Sequence, residues 1–104
     1  MEAVFAAVAD PTRRALLERL RSTGPASIAT LGQGLPISRQ AVTKHLDLLR
    51  SAGLVHVRRA GRERLHELDP APLREVDDWL RPYAEAWDRR LEALRRHLEE
   101  EPDR

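Results

Sequence analysis

A mainly helical fold carrying one small β-hairpin and ending in a long helix is what this sequence predicts, and three patterns predict it. Residues 38–53, SRQAVTKHLDLLRSAG, join a polar start, an apolar stripe and a glycine stop, as one amphipathic helix does. Two short runs of strand character, 54–58 and 64–68, flank a tip that holds a glycine. From residue 70 to 99 apolar side chains recur every three or four positions, which is the stripe of a helix about 45 Å long.

Length and composition narrow the classes. The chain has 104 residues, 41% of them apolar, and no repeat, so it reads as a single globular domain over 1–104. No apolar run is long enough to cross a bilayer and Met1 is not followed by a basic-then-apolar leader, so a cytoplasmic protein with no membrane partner is expected. The absence of cysteine excludes disulfides, thiolate metal ligands and thiol chemistry. The net charge of +1 hides an uneven distribution: residues 1–37 carry +1, residues 38–66 carry +5 and residues 67–104 carry −5. A basic middle third suits a polyanion.

The elements follow in order. Glu2 to Ala9 reads as a short amphipathic helix with Val4, Phe5 and Val8 on one side. Asp10-Pro11 caps and opens a second helix with Leu16, Leu17 and Leu20 inward, and Arg13, Arg14, Arg19 and Arg21 mostly outward as a solvated face. Gly24-Pro25 ends it. Ser27 caps a third, short helix through Ile28 and Leu31, weakened by Gly32 and Gly34. Leu35-Pro36-Ile37 then turns the chain into the helix that Ser38 caps and Gly53 stops, giving a helix-turn-helix with Val42, Leu46 and Leu49 inward. Residues 54–68 form the hairpin, with Arg59, Ala60, Gly61, Arg62 and Glu63 at its tip. Residues 70–99 form the terminal helix, which Pro82 is expected to kink or split. A radius of gyration near 13 Å, typical of a chain of about 100 residues, is too small to cover such a helix. A homodimer seam of Leu73, Val76, Leu80, Tyr83, Trp87, Leu91, Leu94 and Leu98 is therefore expected, with Val4 at the same interface.

The segments ADPTRRALLERL, LPISRQAVTKHLDLLRSAGLV and RRAGRERLHELDP closely resemble the ArsR-type transcriptional regulators, in particular the branch without metal-binding cysteines. The resemblance covers nearly the whole chain. It implies a winged helix-turn-helix with a long C-terminal dimerisation helix, a homodimeric repressor, and recognition helices in adjacent major grooves. Metal-sensing members commonly place cysteines on the first helix of the motif, where this chain has Ala29, Thr30, Leu31 and Gly32. Others build a zinc site on the terminal helices, but here Asp88 is followed by Arg90 instead of histidine, and His97 with Glu100 comes too early. No metal site and no cofactor are expected.

The chemistry of the outer face of residues 38–53 assigns roles. Arg39 offers a planar fork for guanine and Gln40 an amide for adenine, although the family often has proline at the latter position. Ser38 divides between capping and phosphate, Thr43 suits a thymine methyl or a backbone oxygen, and Lys44 suits phosphate. Of the hairpin arginines, 58, 59, 62 and 64, Arg59 and Arg62 are expected on the duplex. His45 is read as structural or close to phosphate, while His56 and His66 are read as ordinary strand residues. Trp79, Tyr83 and Trp87 are assigned to the seam, not to an effector pocket. The expected function is a sequence-specific DNA-binding regulator with a palindromic operator. The alternative is a winged-helix module that docks protein, and no residue set supports an enzyme.

Overall fold

Local hydrogen bonds define where each helix starts and stops. The computed structural model describes residues 1–100, so the last four residues of the expected domain lie outside the described residues. The order is α1 (Glu2–Val8), α2 (Pro11–Thr23), α3 (Ile28–Leu31), α4 (Arg39–Ser51), β1 (Val55–Ala60), β2 (Glu63–Leu68) and α5 (Ala71–Glu100). Asp10, Ser27 and Ser38 each accept a first-turn N–H through the side chain, from Arg13, Thr30 and Ala41 respectively. At the end of α4, Gly53 adopts φ +78°. Its N–H donates to the Arg50 carbonyl at 2.9 Å, and the Leu54 N–H donates to the Leu49 carbonyl at 3.0 Å. That is a Schellman cap, closed by contact between two fully buried leucines.

The core lies where α1 to α4 and the base of the hairpin meet. Leu16, Leu20, Leu31, Val42, Leu46, Leu49, Leu54 and Val55 are all but sealed from solvent. Ala26 adds a short bridge to the hairpin, exchanging both backbone hydrogen bonds with His66 at 3.0 and 2.8 Å. This bridge left no pattern in the sequence, because a one-residue strand has no periodicity. It also buries His66 to 4% exposure, with Nδ1 lacking a partner.

Arginines of α2 hold the scaffold together. Arg13 donates to the carbonyls of Ala7 (2.7 Å) and Ala6 (3.1 Å), and its guanidinium lies 3.3 Å from His45 Nδ1. Arg14 donates to the Val8 carbonyl at 2.8 Å. Together they donate to the last carbonyls of α1, of which that of Ala6 also accepts the Ala9 N–H. Arg19 does the same for the end of α3, donating to the carbonyls of Leu31 and Gln33. The expected solvated face of α2 is therefore a set of ties, with only Arg21 turned to a surface partner, Glu18.

Three expectations are corrected. The hairpin tip is two residues, Gly61 and Arg62, because Ala60 pairs with Glu63; this places Arg59 within β1. Val4 is 4% exposed and lies in the chain's own core, since α1 packs that side onto α2 and α4. Pro82 does not split α5, which continues through it as one helix. Pro82 and the Asp78 carbonyl that loses its donor both lie on the side of α5 away from the apolar stripe, where water can satisfy the carbonyl. The Arg81 guanidinium spans the same turn to the carboxylates of Asp77 and Asp78.

Two outcomes follow for stability. Gly53→Ala forces a left-handed residue to carry a Cβ 3.4 Å from the Pro72 ring. It should lower unfolding free energy by about 1 kcal/mol or more in urea titrations. Burial, reinforced by the charges of Arg50 and Arg64, holds His66 below the ordinary histidine range. The unfolded chain then binds the proton first as pH drops below about 6.5, so the folded state loses stability from there downwards. Asp10 and Asp69, both held below the usual carboxylate value of 3.8, act only at lower pH. Urea midpoints should thus fall between pH 7 and 5, and His66→Gln should flatten that slope.

Candidate nucleic-acid interface

The outward side of α4 is fixed by its inward side. Val42, Leu46 and Leu49 recur at helical spacing and are at most 1% exposed. Their burial turns Arg39, Gln40 and Lys44 to solvent at the helix start. Ser38 Oγ accepts the Ala41 N–H at 3.1 Å and keeps its own hydroxyl proton for a further acceptor. The half-buried Thr43 donates its hydroxyl to the Arg39 carbonyl at 3.0 Å, which leaves its methyl as its outward chemistry. The positive end of the helix dipole lies at this same end.

The hairpin register sorts the remaining arginines. Arg58 pairs with Glu67 at 3.0 Å and is neutralised within the sheet. Arg59 and Arg64 stand directly opposite each other, on the face that further down carries Val55 and His66. Arg62 occupies the turn beside Gly61, whose φ of +65° meets the demand of a two-residue hairpin. Among the described residues, Arg39, Lys44, Arg59, Arg62 and Arg64 make no hydrogen bond or ion pair within the chain. Sequence spacing singled out Arg59 and Arg62, whereas Arg64 joins them only once the register is known. Two like charges opposed across strands repel, and an anion between them would relieve this.

His45, His56 and His66 are each engaged by other parts of the chain's own fold. His45 lies 3.9 Å from Asp10 as well as against Arg13, joining the start of α2 to the middle of α4. His56 pairs with Asp69 at 2.7 Å and opposes Glu67, not His66, across the hairpin. Among the described residues no three histidine, aspartate or glutamate side chains gather as metal ligands would, and no helix is long and apolar enough to cross a membrane.

The expected seam divides in two. Leu73 and Val76 pack partly buried against the chain's own core. Leu80, Tyr83, Trp87, Leu91, Leu94 and Leu98 are exposed, from 45% at Leu80 to 65% at Leu98. Trp79 meets Phe5 of α1 edge to face at 5.5 Å and leans towards Tyr83.

Comparison with known proteins agrees with this geometry. Residues 8–58 match the family described as a helix-turn-helix domain. The HTH-type transcriptional regulator Rv2034 of Mycobacterium tuberculosis is 40% identical over 97 residues, spanning 93% of this chain and 87% of that protein. The crystal structure of an ArsR family transcriptional regulator, RHA00566, superposes with a TM-score of 0.72 at 34% identity, over 84% of this chain and 94% of that one. An ArsR-like transcriptional regulator from Rhodococcus sp. RHA1 gives 0.69 at 38% identity, over 91% and 89%.

The opposed arginines make a prediction for the free protein. Arg64→Glu turns a repulsive cross-strand pair into an attractive one and should raise unfolding free energy by about 0.5 kcal/mol at low salt. The gain should vanish in 1 M salt, where the Debye length is about 3 Å.

Proposed function

The chain belongs to the ArsR-type winged helix-turn-helix transcriptional regulators, and from that premise we propose that it acts as a homodimeric repressor reading a palindromic operator. DNA-binding regulation is the family's role, and the proposal concerns how this chain performs it. One observation carries the reading. Unpaired Arg39, Gln40 and Lys44 project from a helix whose opposite side is locked in the core, beside a hairpin whose arginines 59, 62 and 64 also lack partners.

In the proposed complex α4 lies in the major groove with its first turn at the base edges. Arg39 donates its two parallel N–H groups to guanine O6 and N7, and Gln40 pairs with adenine N6 and N7. The Thr43 methyl meets a thymine methyl. Ser38 and Lys44 hold phosphates that fix the register, and Arg59 and Arg62, joined by Arg64, follow the backbone as the wing. No step of this calls for a metal, a cofactor or catalysis. A second copy, held through Leu80, Tyr83, Trp87, Leu91, Leu94 and Leu98, places a second α4 one helical turn away, about 34 Å along the duplex. Occupying a promoter in this way excludes polymerase, which makes repression the expected outcome in the cytoplasm.

Fluorescence anisotropy with DNA from the promoters of its own and neighbouring genes tests the reading. Nanomolar binding with a steep loss on added salt is expected. Arg39→Ala should weaken the operator by about 10- to 100-fold and relax selectivity at one base. Lys44→Ala and Arg62→Ala should weaken all sequences alike and lower the salt slope by about one each. Equal affinity for every duplex would refute the proposal.

A further inference from the structure

Arg13 is bonded to three other residues through its guanidinium, yet it is not among the side chains placed on the duplex. It donates to the carbonyls of Ala7 at 2.7 Å and Ala6 at 3.1 Å, and lies 3.3 Å from His45 Nδ1 on α4. Arginine can only donate, so His45 Nδ1 is the acceptor and the imidazole carries its proton on Nε2. The Asp10 carboxylate, 3.9 Å from the same nitrogen, is beyond hydrogen-bond reach. One planar group on the first turn of α2 thus holds both α1 and α4.

Packing alone leaves the separation of α1 and α4 loose on one side. An open cavity of about 220 Å³ lies between them, walled by Ala3, Ala6 and Ala7 of α1 and by Leu48 and Ala52 of α4, with Arg13 also in its wall. Alanine side chains are too short to close it, and Leu48 remains 51% exposed. With seven residues α1 is too short to be a stable helix by itself, so its ties decide where it sits. Val4 seats it in the core. Phe5 meets Trp79 of α5 edge to face at 5.5 Å, and the Met1 ammonium lies 3.6 Å from Glu75. So α1 is an abutment fixed to the base of α5, and the Arg13 guanidinium is what spans from it to α4. His45 follows Lys44 directly, and Arg39 and Gln40 lie one to two turns earlier on the same helix. A shift at His45 therefore carries all three with it.

We propose that Arg13 is a positioning residue for sequence reading: it touches no DNA, and it seats α4 against α1 so that Arg39 and Gln40 reach their base edges. The inference rests on the DNA-reading proposal above and adds the residue that aligns it. Base-edge hydrogen bonds hold over a range of about 0.5 Å, whereas attraction to phosphate falls off over a Debye length of about 8 Å. Loss of the tie therefore costs selectivity and spares general affinity for DNA.

Fluorescence anisotropy of the full-length protein tests this, with the promoter duplex that the wild type selects and a scrambled duplex of equal length, each over a salt series. Lysine keeps the charge of Arg13 and loses its fork. Arg13→Lys should weaken the selected duplex about 10-fold, hold the scrambled one within about twofold and leave the salt slope unchanged. His45→Leu removes the acceptor and should act in the same way. The double variant should be no worse than the worse single one, because partners in one contact are not additive. His45→Asn places an amide oxygen where Nδ1 lies and should bind like the wild type. Full affinity in Arg13→Lys would overturn the proposal, since a cation that merely holds phosphate behaves so. Equal losses on both duplexes, or additive losses in the double variant, would overturn it as general damage to the fold. Should circular dichroism show Arg13→Lys unfolded, His45→Leu decides: selective loss that His45→Asn does not share supports the tie, and its absence overturns it. A wild type that does not distinguish the duplexes would overturn the DNA-reading proposal together with this one.

Discussion

Burial of Val42, Leu46 and Leu49 is the constraint from which the rest of the molecule takes its orientation. Each such side chain contributes about 1.5–3 kcal/mol relative to exposure. Their sum is comparable to the total stability of a small domain, about 5–15 kcal/mol. Helix α4 therefore cannot rotate or lift away without loss of the fold, and the helix positions from which Arg39, Gln40 and Lys44 leave are as fixed as the core. Rigidity of this kind lowers the ordering cost of recognition. The caps act in the same sense, because Ser38 at one end and Gly53 at the other stop the helix at defined residues.

Arginine is put to two uses, and the difference lies in what surrounds each side chain. Arg13, Arg14 and Arg19 sit over helix ends whose carbonyls lack donors, and they supply those donors. A lysine could not span two carbonyls and an imidazole as the Arg13 fork does. Arg59, Arg62 and Arg64 sit where the hairpin rises beyond the core and no carboxylate is near enough to pair. Glu67, one of the few acids on the hairpin, is already taken by Arg58. The unpaired cations of the wing are thus set apart from the structural ones by position and not by residue type.

Features decided within a few residues of chain were legible in the sequence. The caps at Asp10, Ser27 and Ser38, the left-handed Gly53, the inward stripe of α4 and the length of α5 each depend on neighbours within one or two turns. Features decided by distant segments were not. The pairing of Arg59 with Arg64 needed the hairpin register, with β1 reaching two residues and β2 one residue further towards the tip than their composition suggested. The reach of Arg13 to His45 crosses 32 positions. The burial of His66 depends on Ala26, an unremarkable residue until it bridges to β2. Val4 was misplaced for the same reason, because periodicity marks an apolar side without saying which surface will cover it.

The base of the wing is also the start of α5, and Asp69 joins them. One carboxylate oxygen accepts the Ala71 N–H at 2.9 Å and caps the helix, while the other meets His56 of β1 at 2.7 Å. The Asp69 N–H donates to the Leu54 carbonyl at 2.8 Å, directly after the cap of α4. Leu73 and Val76 then press the first turns of α5 onto the core. Recognition helix, wing and seam are in this way fixed to one another through a few residues. The long exposed part of α5 stretches the molecule to 68 Å and a radius of gyration of 19.4 Å, well above the 13 Å or so of a compact chain of this length. A helix held so firmly at one end and bare along the rest transmits its pairing geometry to α4. In the proposed homodimer, the spacing of the two α4 helices follows from where along the stripe the copies meet.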